Sequence, residues 1–452
     1  MILSTVYYHQ NERRIQAVMT EPTEPITVAV IGGGAAGFFA AVNLARFAHE
    51  NGLDVAVTIF EASAKPLQKV FISGGGRCNV THSCFDPVQL VQHYPRGSKA
   101  LRSLFHRFQP QDTIDWFQQR GLTLKTEPDG RLFPVTDTSQ DVIDVLMHEA
   151  NQYDVTLNLR SRVTFIQKED NGYSVTWQTS TQTESSQPFD KVILATGYSP
   201  VGWQMAQSLG HTILKPVPSL FPFKVDSPAI EGLQGISRKE IRGKLKLNTT
   251  QVEAVGDLLI THTGLSGPLI YRLSALAARP LAEMAYQADL ILNLIPDNPQ
   301  HELQRLLWHS CQTEWSKKQL KNVSFQNIPK RWWETLLRFS GLDPNLRGEE
   351  IPKKPLNRLA ENLTSLTLSV IGKSPSKEEF VSCGGVALNE VDFKTMESKL
   401  NPGLYLGGEI LDIDGLTGGF NFQACWSAGY VLAMAMADAI SPNKNPSEST
   451  PA

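Results

Sequence analysis

The chain has 452 residues, of which 41% are hydrophobic and 19% charged, and its formal net charge is -3 at pH 7. This length predicts more than one domain. The net charge gives no case for binding nucleic acid, including DNA, or acidic membranes through overall charge, although a local basic face stays open. The five cysteines show no CxxC spacing, which argues against a metal site or a disulfide framework and favours a cytoplasmic protein. No apolar run is long enough to predict a membrane span.

In chain order, the elements predict a nucleotide-binding α/β domain interrupted by an insertion. Short strands with turn signals fill 211–300, whereas helical spacing and tryptophans mark 301–363. Translation could begin at Met1 or at Met19. The predicted segments are a disordered N-terminal arm (1–24), the first segment of the nucleotide-binding domain (25–205), an inserted β-barrel (206–300), a helical insert (301–375), the second segment of the nucleotide-binding domain (376–440) and a disordered tail (441–452).

A glycine motif follows the first predicted strand and begins an alanine-rich helix. Gly32 permits the tight turn, Gly34 lets a pyrophosphate approach the backbone, and Gly37 lets the helix pack close to the strand. Glu61 ends the second strand, where a carboxylate favours a free ribose 2′-hydroxyl. Because strand, glycines, helix, strand and acid occur in this order, the segment predicts a site for FAD or NAD rather than NADP.

Two later glycine turns are predicted to reach the same dinucleotide. Thr196 and Gly197 follow the apolar strand KVIL, and Gly408-Glu409 follows the buried strand LYL, so Glu409 could bind ribityl hydroxyls. The turn Gly419-Phe420-Asn421 begins a long helix of small residues, whose N–H groups could point at a flavin. A simple helix cap is the alternative for this last turn.

The loop SGGGRCN at 73–79 combines backbone freedom with reactive side chains. Its glycines, including Gly76, allow a flat ligand to approach, and Arg77 offers a fixed cationic fork. Cys78 could protonate a substrate carbon or could be a bystander thiol.

These motifs, together with DGRLFPVT (129–136), THTGLSGP (261–268) and the stretch 384–429, resemble the BaiN/YhiN-type family of FAD-dependent oxidoreductases. The resemblance spans nearly all of 25–440. It implies a Rossmann-like FAD domain of the two-dinucleotide-binding-domain type, interrupted by a β-barrel and a small helical subdomain. It also implies FAD contacts at Gly32, Gly34, Ala36, Gly37, Glu61, Lys69, Cys78, Val163, Gly197, Glu409 and the Gly419-Phe420-Asn421 turn.

The resemblance further implies reduction of a polarised C=C bond, either in steroid-type enones or in uridine of 23S rRNA to give dihydrouridine. Hydride adds to the carbon β to a carbonyl, and an acid protonates the neighbouring carbon. The candidates for the catalytic residues are Cys78, Cys383 and Arg131, with Cys425 and His262 as further possibilities. Since no second GxGxxG occurs in a strand–helix context, NAD(P)H is expected to bind transiently as the reductant.

A basic, tryptophan-containing stretch makes RNA contact plausible in the helical insert. Residues 301–363 hold 11 Lys and Arg against 7 Asp and Glu. Cations interleaved with aromatic rings suit unstacked RNA bases. The alternative is that the tryptophans form the core of the insert and the charges a solvated face. The candidates for RNA contact are Lys317, Lys318, Lys321, Lys330, Arg331, Trp332 and Trp333.

Three functions therefore stay open at the level of sequence. The first is an rRNA dihydrouridine synthase, the second an ene-reductase or oxidase for small molecules, and the third a ribosome-associated binding protein with structural FAD. The basic insert favours the first or third, whereas an apolar cleft beside the flavin would favour the second. The sequence leaves the target nucleotide and the oligomeric state open.

Overall fold

The computed structural model describes residues 24–179, 181–374 and 381–441. The predicted disordered arm and tail lie outside these residues, apart from Glu24 and Ser441. Among the helices in these ranges, none combines the length and the apolar character that a membrane crossing requires.

The first segment of the chain supplies most of an α/β domain. Its helices are α1 (Ala35–Glu50), α2 (Gln68–Gly76), α3 (Pro87–Leu90), α4 (Ser98–Phe105), α5 (Pro110–Gln118), α6 (Ser139–Gln152) and α7 (Pro200–Ser208). Its strands are β1 (Ile26–Ile31), β2 (Val55–Phe60), β3 (Thr81–His82), β4 (Leu124–Thr126), β5 (Arg131–Pro134), β6 (Thr156–Asn158), β7 (Arg162–Glu169), β8 (Gly172–Gln178), β9 (Glu184–Phe189) and β10 (Lys191–Leu194).

The second segment forms the insertion, and the third returns to the α/β domain. The insertion contains β11 (Ile213–Pro218), β12 (Phe223–Val225), β13 (Ser237–Lys246), β14 (Gln251–Ile260), β15 (Gly264–Ser266), α8 (Pro268–Leu276), α9 (Ala278–Glu283), β16 (Ala288–Asn293), α10 (Gln300–Gln312), α11 (Lys330–Phe339), α12 (Lys353–Ser365) and β17 (Leu366–Lys373). The third segment contains β18 (Ser382–Val386), β19 (Val391–Asp392), β20 (Glu397–Ser398), β21 (Leu404–Leu406) and α13 (Phe420–Ile440).

A seven-stranded sheet organises the α/β domain, with strand order β19-β20-β21-β10-β1-β2-β6. Strand β1 pairs in parallel with β2 and β10, and β21 joins β10 in parallel, so the first and last segments share one sheet. The central strands are short runs of Val, Ile and Leu because helices cover them, as parallel sheets require. Helices α1 and α13 pack against each other, and Gly429 approaches the Ala36 carbonyl where a Cβ would lie 2.9 Å from that oxygen.

The insertion is a closed six-stranded barrel with the order β12-β15-β14-β13-β16-β17. Its last strand, β17, lies within the segment 301–375 that was predicted to be helical, and α10 to α12 precede it in the chain. These helices and the barrel share one hydrophobic core, in which Leu245 and Leu290 of the barrel belong to the same cluster as Leu303 and Leu359. The helical insert is therefore a cap on the barrel and not a unit with its own core.

A pair of antiparallel strands, β11 and β18, connects the insertion to the α/β domain. A buried ion pair supports this connection: Arg96 of the α/β domain binds Asp414 and also donates to the carbonyl of Ala275 in α8 at 2.7 Å. Asp414 is fully buried, and Ser219 beside β11 donates to the same carboxylate. These contacts fix one side of the insertion against the loop that follows Asp414.

Candidate functional site

A cleft of about 520 Å³ opens at the carboxyl ends of β1, β10 and β21. This is the edge of a parallel sheet at which nucleotides bind in doubly wound folds, and the volume suits a cofactor. Three regions of the chain form its wall: the glycine turn with α1 and α2, the turn after β10, and the loops that follow β21.

The glycine turn is shaped by contacts that leave no room for side chains. Gly32 has a φ of +110°, and a Cβ there would lie 2.5 Å from the carbonyl oxygen of Ala195. A Cβ on Gly37 would lie 2.1 Å from the carbonyl oxygen of Gly32, which explains the close packing of α1 on the strand. A Cβ on Gly34 would meet no atom within 4 Å, although Gly34 lies on the cleft wall. Packing within the protein therefore does not require a glycine at position 34, as expected where a ligand approaches the backbone.

Helix α1 begins at the cleft without a side-chain cap on its first turn. Gly34 is its N-cap and provides no side-chain cap, and Ala35 and Ala36 line the cleft. Free N–H groups and the positive end of a helix dipole stabilise an anion such as a diphosphate.

Glu61 is held at the edge of the cleft by two backbone amides. Its carboxylate accepts hydrogen bonds from the N–H of Gly33 at 2.9 Å and from the N–H of Ser63 at 2.7 Å. Each carboxylate oxygen can accept a second hydrogen bond, so Glu61 can still bind a ribose hydroxyl.

An ion pair joins the two ends of the chain across the cleft. Lys69 of α2 lies 2.6 Å from the Glu409 carboxylate, and both residues line the cleft. Burial alone would lower the pKa of Lys69, but the charge and hydrogen bond of Glu409 outweigh it, and the net effect raises the pKa. Lys69 is therefore charged at neutral pH, and the pair fixes α2 against the Gly408-Glu409 turn.

A second helix N-terminus faces the cleft from the last segment. Gly419 is the N-cap of α13 with a φ of +89°, and a Cβ there would lie 2.5 Å from the carbonyl oxygen of Thr81. The side-chain amide of Asn79 accepts from the N–H of Gly419 at 2.9 Å and donates to the Thr81 carbonyl at 3.0 Å. Asn421 binds both backbone groups of Gly415. The SGGGRCN loop and the α13 turn therefore form one wall.

This arrangement fits a flavin dinucleotide. The α1 amides suit the diphosphate, Glu61 suits the ribose, and the amides at the start of α13 suit a group that gains negative charge. The residues named for FAD in the sequence that lie on the wall are Gly32, Gly34, Ala36, Glu61, Lys69, Thr196, Gly197, Glu409, Gly419 and Asn421. Direct contact between them and FAD stays a prediction.

The other named residues lie behind the wall or away from it. Gly37 acts in the packing of α1 on the strand. Val163 is buried in β7 opposite Trp177. Phe420 is buried and its ring stacks on His93, with the centroids 4.1 Å apart. Those absent from the wall are Gly37, Gly76, Arg77, Cys78, Val163, Gly408 and Phe420.

The two cysteines predicted to donate a proton are both fully buried and do not line the cleft. Burial raises the pKa of the Cys78 thiol to about 12, and Cys383 packs with Val217 and Ala278 beside the β11–β18 pair. The expectation that Cys78 or Cys383 reaches a substrate is therefore corrected, because neither sulfur is accessible. Cys425, a further catalytic candidate from the sequence, lines the cleft although its exposure is only 7%.

The two arginines of the predicted site are engaged with carboxylates beside the cleft. Arg77 binds Glu127 at 2.7 Å and lies over the ring of Phe133. Arg131 binds Glu127 at 3.1 Å and Asp129 at 2.7 Å. Neither lines the cleft, but both side chains are partly exposed.

The prediction that Trp332 and Trp333 present aromatic platforms is wrong. Their exposures are 0% and 1%, and they belong to the shared core of barrel and helices. The indole N–H of Trp333 donates to the carbonyl of Leu320 at 2.9 Å, whereas Lys330 and Arg331 at the start of α11 stay exposed. The alternative, that these tryptophans form the core, is the correct one.

Sequence reasoning missed several residues of the wall. They include apolar side chains on α2 and near the last loops, and polar groups just after β2. Glu61 and Glu409 were found because they are acidic residues that follow strands, whereas Lys69 was named through the family resemblance. The missed residues are Gly33, Ala35, Ser63, Lys65, Leu67, Gln68, Ile72, Ala195, Val381, Gly407, Leu416, Thr417 and Phe422.

Comparison with known sequences gives relatives that extend over nearly the whole chain. The ribosomal RNA dihydrouridine synthase of Escherichia coli (strain K12) is 29% identical over 420 residues, which cover 91% of this chain and 98% of that protein. The protein of the same name from Haemophilus influenzae is 27% identical and covers 90% of this chain and 97% of its own. The 3-dehydro-bile acid delta(4,6)-reductase of Clostridium scindens is 26% identical, and the alignment covers 91% of this chain and 99% of that protein.

Solved structures give only distant likenesses. The open conformation of a flavocytochrome c3 fumarate reductase has a TM-score of 0.47 at 16% identity and covers 93% of this chain and 79% of that one. In contrast, the model of the HI0933-like protein Rossmann domain matches residues 26–435. Since this match spans far more than half of the sequence, the chain belongs to the HI0933-like family and has a Rossmann-type flavoprotein fold.

Proposed function

We propose that the chain is a cytoplasmic FAD-dependent oxidoreductase that reduces uridine in 23S rRNA to dihydrouridine. The observation that carries this proposal is the cleft, whose wall combines the glycine turn of α1, the Lys69–Glu409 pair and the start of α13. Support for the substrate comes from two relatives, both named ribosomal RNA dihydrouridine synthase, that align with this chain over nearly their full lengths.

Different residues of the wall bind different parts of the cofactor. The α1 amides bind the diphosphate, Glu61 binds the adenosine ribose, and Glu409, oriented by Lys69, binds ribityl hydroxyls. The start of α13 stabilises negative charge at the far end of the cleft. A flavin held here, once reduced by NAD(P)H, would supply hydride to the carbon β to a uracil carbonyl.

The neighbouring carbon of the base must gain a proton, which solvent water supplies, and the base must be held while this occurs. Arg131 is the partly exposed member of the predicted catalytic set and lies beside the cleft, where its guanidinium can exchange Glu127 or Asp129 for a carbonyl oxygen of the base. We retain Arg131 as the residue that orients the substrate. Cys78 and Cys383 have no such part because both are buried.

A second candidate is the reduction of a small enone. Val381 and Leu416 give the cleft an apolar edge on the side of the barrel, where they pack with Leu220 and Tyr271. The bile acid reductase of Clostridium scindens is a relative of similar identity. An apolar edge suits a steroid-like ring as well as the face of a base.

The test incubates the purified, FAD-loaded protein with NADPH and a 23S rRNA transcript, followed by mass spectrometry of the nucleosides. The proposal predicts dihydrouridine at a discrete position. A parallel reaction offers a steroid enone in place of RNA. Reduction of the enone with no dihydrouridine in RNA would contradict the proposal and establish the second candidate.

A further inference from the structure

Trp308 differs from the other tryptophans of the helical insert. Its exposure is 39%, whereas Trp315, Trp332 and Trp333 are at most 7% exposed. A single exposed apolar residue is common on protein surfaces. A role for this ring therefore depends on the groups that surround it.

One cation lies beside the Trp308 ring, and two further cations neighbour the pair in sequence on helices α10 and α12. The ammonium nitrogen of Lys353, in the first turn of α12, lies 6.0 Å from the centroid of the indole ring. Arg305 precedes Trp308 by three residues in α10, so both side chains lie on one face of that helix. Lys354 is exposed beside Lys353. We call the group Arg305, Trp308, Lys353 and Lys354 the Trp308 surface.

The carboxylates closest in sequence to these lysines are already engaged. Glu349 binds Lys317 at 2.7 Å, and Glu350 accepts from the N–H of Arg347 at 2.7 Å. Among the residues for which the structure gives side-chain contacts, no ion pair involves a cation of the Trp308 surface. Their charge is therefore not cancelled by a carboxylate in contact.

The N-terminus of α12 adds to this positive charge. Its N-cap is Pro352, which provides no side-chain cap, so the amides of Lys353 and Lys354 have no partner within the helix, and Pro355 has no N–H. The positive end of the helix dipole coincides with Lys353 and Lys354. The site thus offers a flat aromatic face beside a concentrated positive charge.

We propose that the Trp308 surface binds a single-stranded segment of RNA. One base stacks on the indole of Trp308, and the adjoining phosphates bind Lys353, Lys354 and Arg305. An aromatic ring combined with cations binds every base, so the surface captures the strand without reading its sequence. The choice of RNA rests on the proposed function, whereas the position of the surface rests on the exposure of Trp308 and the cations around it.

The test measures fluorescence anisotropy of a labelled, unstructured RNA 12-mer titrated with the full-length FAD-loaded protein. Trp308→Ala should weaken binding by roughly 5- to 100-fold, as expected for loss of one stacked base. Trp308→Phe should restore most of the affinity, and Lys353→Ala/Lys354→Ala should weaken binding and flatten its salt dependence. Thermal denaturation checks that each variant is folded.

Two matched controls come from the helices of the same insert. Leu306 is 39% exposed on α10, and Arg338 is an exposed cation of α11 that pairs with Glu334 at 3.4 Å. Leu306→Ala and Arg338→Ala should leave RNA affinity within about twofold of the wild type. Equal affinity of Trp308→Ala and wild type would overturn the inference, and so would a loss equal to that of Leu306→Ala.

The assay separates failure of this inference from failure of the proposed function. Loss of RNA affinity in Trp308→Ala supports the surface even if no dihydrouridine forms in any reaction. Formation of dihydrouridine by wild type, with undiminished RNA affinity in Trp308→Ala, overturns the surface and leaves the proposed function intact.

Discussion

The cleft and the helical insert differ in how well the type and spacing of a residue predict its structural role. At the cleft, Gly32 and Gly37 face backbone atoms at distances that exclude a Cβ, so each residue type has a single explanation. In the insert, four tryptophans occur within 301–363, and three are core residues while Trp308 is exposed. A backbone constraint can thus be inferred from residue type and spacing, whereas the role of a large aromatic residue depends on which face of the helix carries it.

The sharpest test of this difference compares two tryptophans of the insert. Trp332→Ala removes a fully buried ring and should lower the free energy of unfolding by about 3–5 kcal/mol. Trp308→Ala changes an exposed ring and should stay within about 0.5 kcal/mol of the wild type. Chemical denaturation measures both. A similar loss in the two variants would remove the distinction between them.

Two glycines of the turn give a second comparison, between a position that packing restricts and one that faces the cleft. Gly37→Ala places a Cβ 2.1 Å from the Gly32 carbonyl and should destabilise the fold by about 1–3 kcal/mol, with loss of bound flavin. Gly34→Ala meets no neighbour within 4 Å, so it should melt close to the wild type while its flavin content falls. Absorbance spectra and thermal melts report the two quantities. Full flavin content in Gly34→Ala would mean that no ligand approaches the backbone there.

The buried thiol of Cys78 predicts a dependence of stability on alkaline pH. Burial raises its pKa from 9.0 to about 12 in the folded chain. The protonated thiol therefore makes its full contribution to the free energy of unfolding below pH 9.0. This contribution is lost as the pH rises towards 12, and the free energy of unfolding falls by about 1.4 kcal/mol per pH unit. Denaturant unfolding between pH 8 and pH 11 should show a shallower decline for Cys78→Ala. Parallel curves of unfolding free energy against pH for the wild type and Cys78→Ala would contradict the burial of the Cys78 thiol.

A smaller effect distinguishes the two adjacent buried tryptophans. Trp333→Phe removes the donor to the Leu320 carbonyl and should cost about 1–2 kcal/mol beyond the loss of volume. The indole nitrogen of Trp332 is buried with no hydrogen-bond partner among the described residues, so Trp332→Phe should cost less. The difference between the two free energies of unfolding is the measurement. A larger loss in Trp332→Phe would mean that its N–H has a partner such as a water molecule.

The sequence predicts the regions of this molecule that local chemistry controls. The order of strand, glycines, helix and acid at 26–61 needs only backbone sterics and a helix dipole, and the structure has each element there. The position of Cys78 could not be predicted, because burial of a loop residue depends on packing between distant segments. The same holds for β17, whose strand pairing with β12 and β16 closes the barrel after three helices.

The central claim is most directly tested by mapping dihydrouridine in the host's 23S rRNA with and without this gene. We expect that deletion removes one dihydrouridine and that the wild-type gene restores it. A Gly34→Leu gene should fail to restore it although the protein accumulates, because Gly34 lies on the cleft wall and a Cβ there meets no atom within 4 Å. An unchanged set of dihydrouridines after deletion would contradict the proposed function.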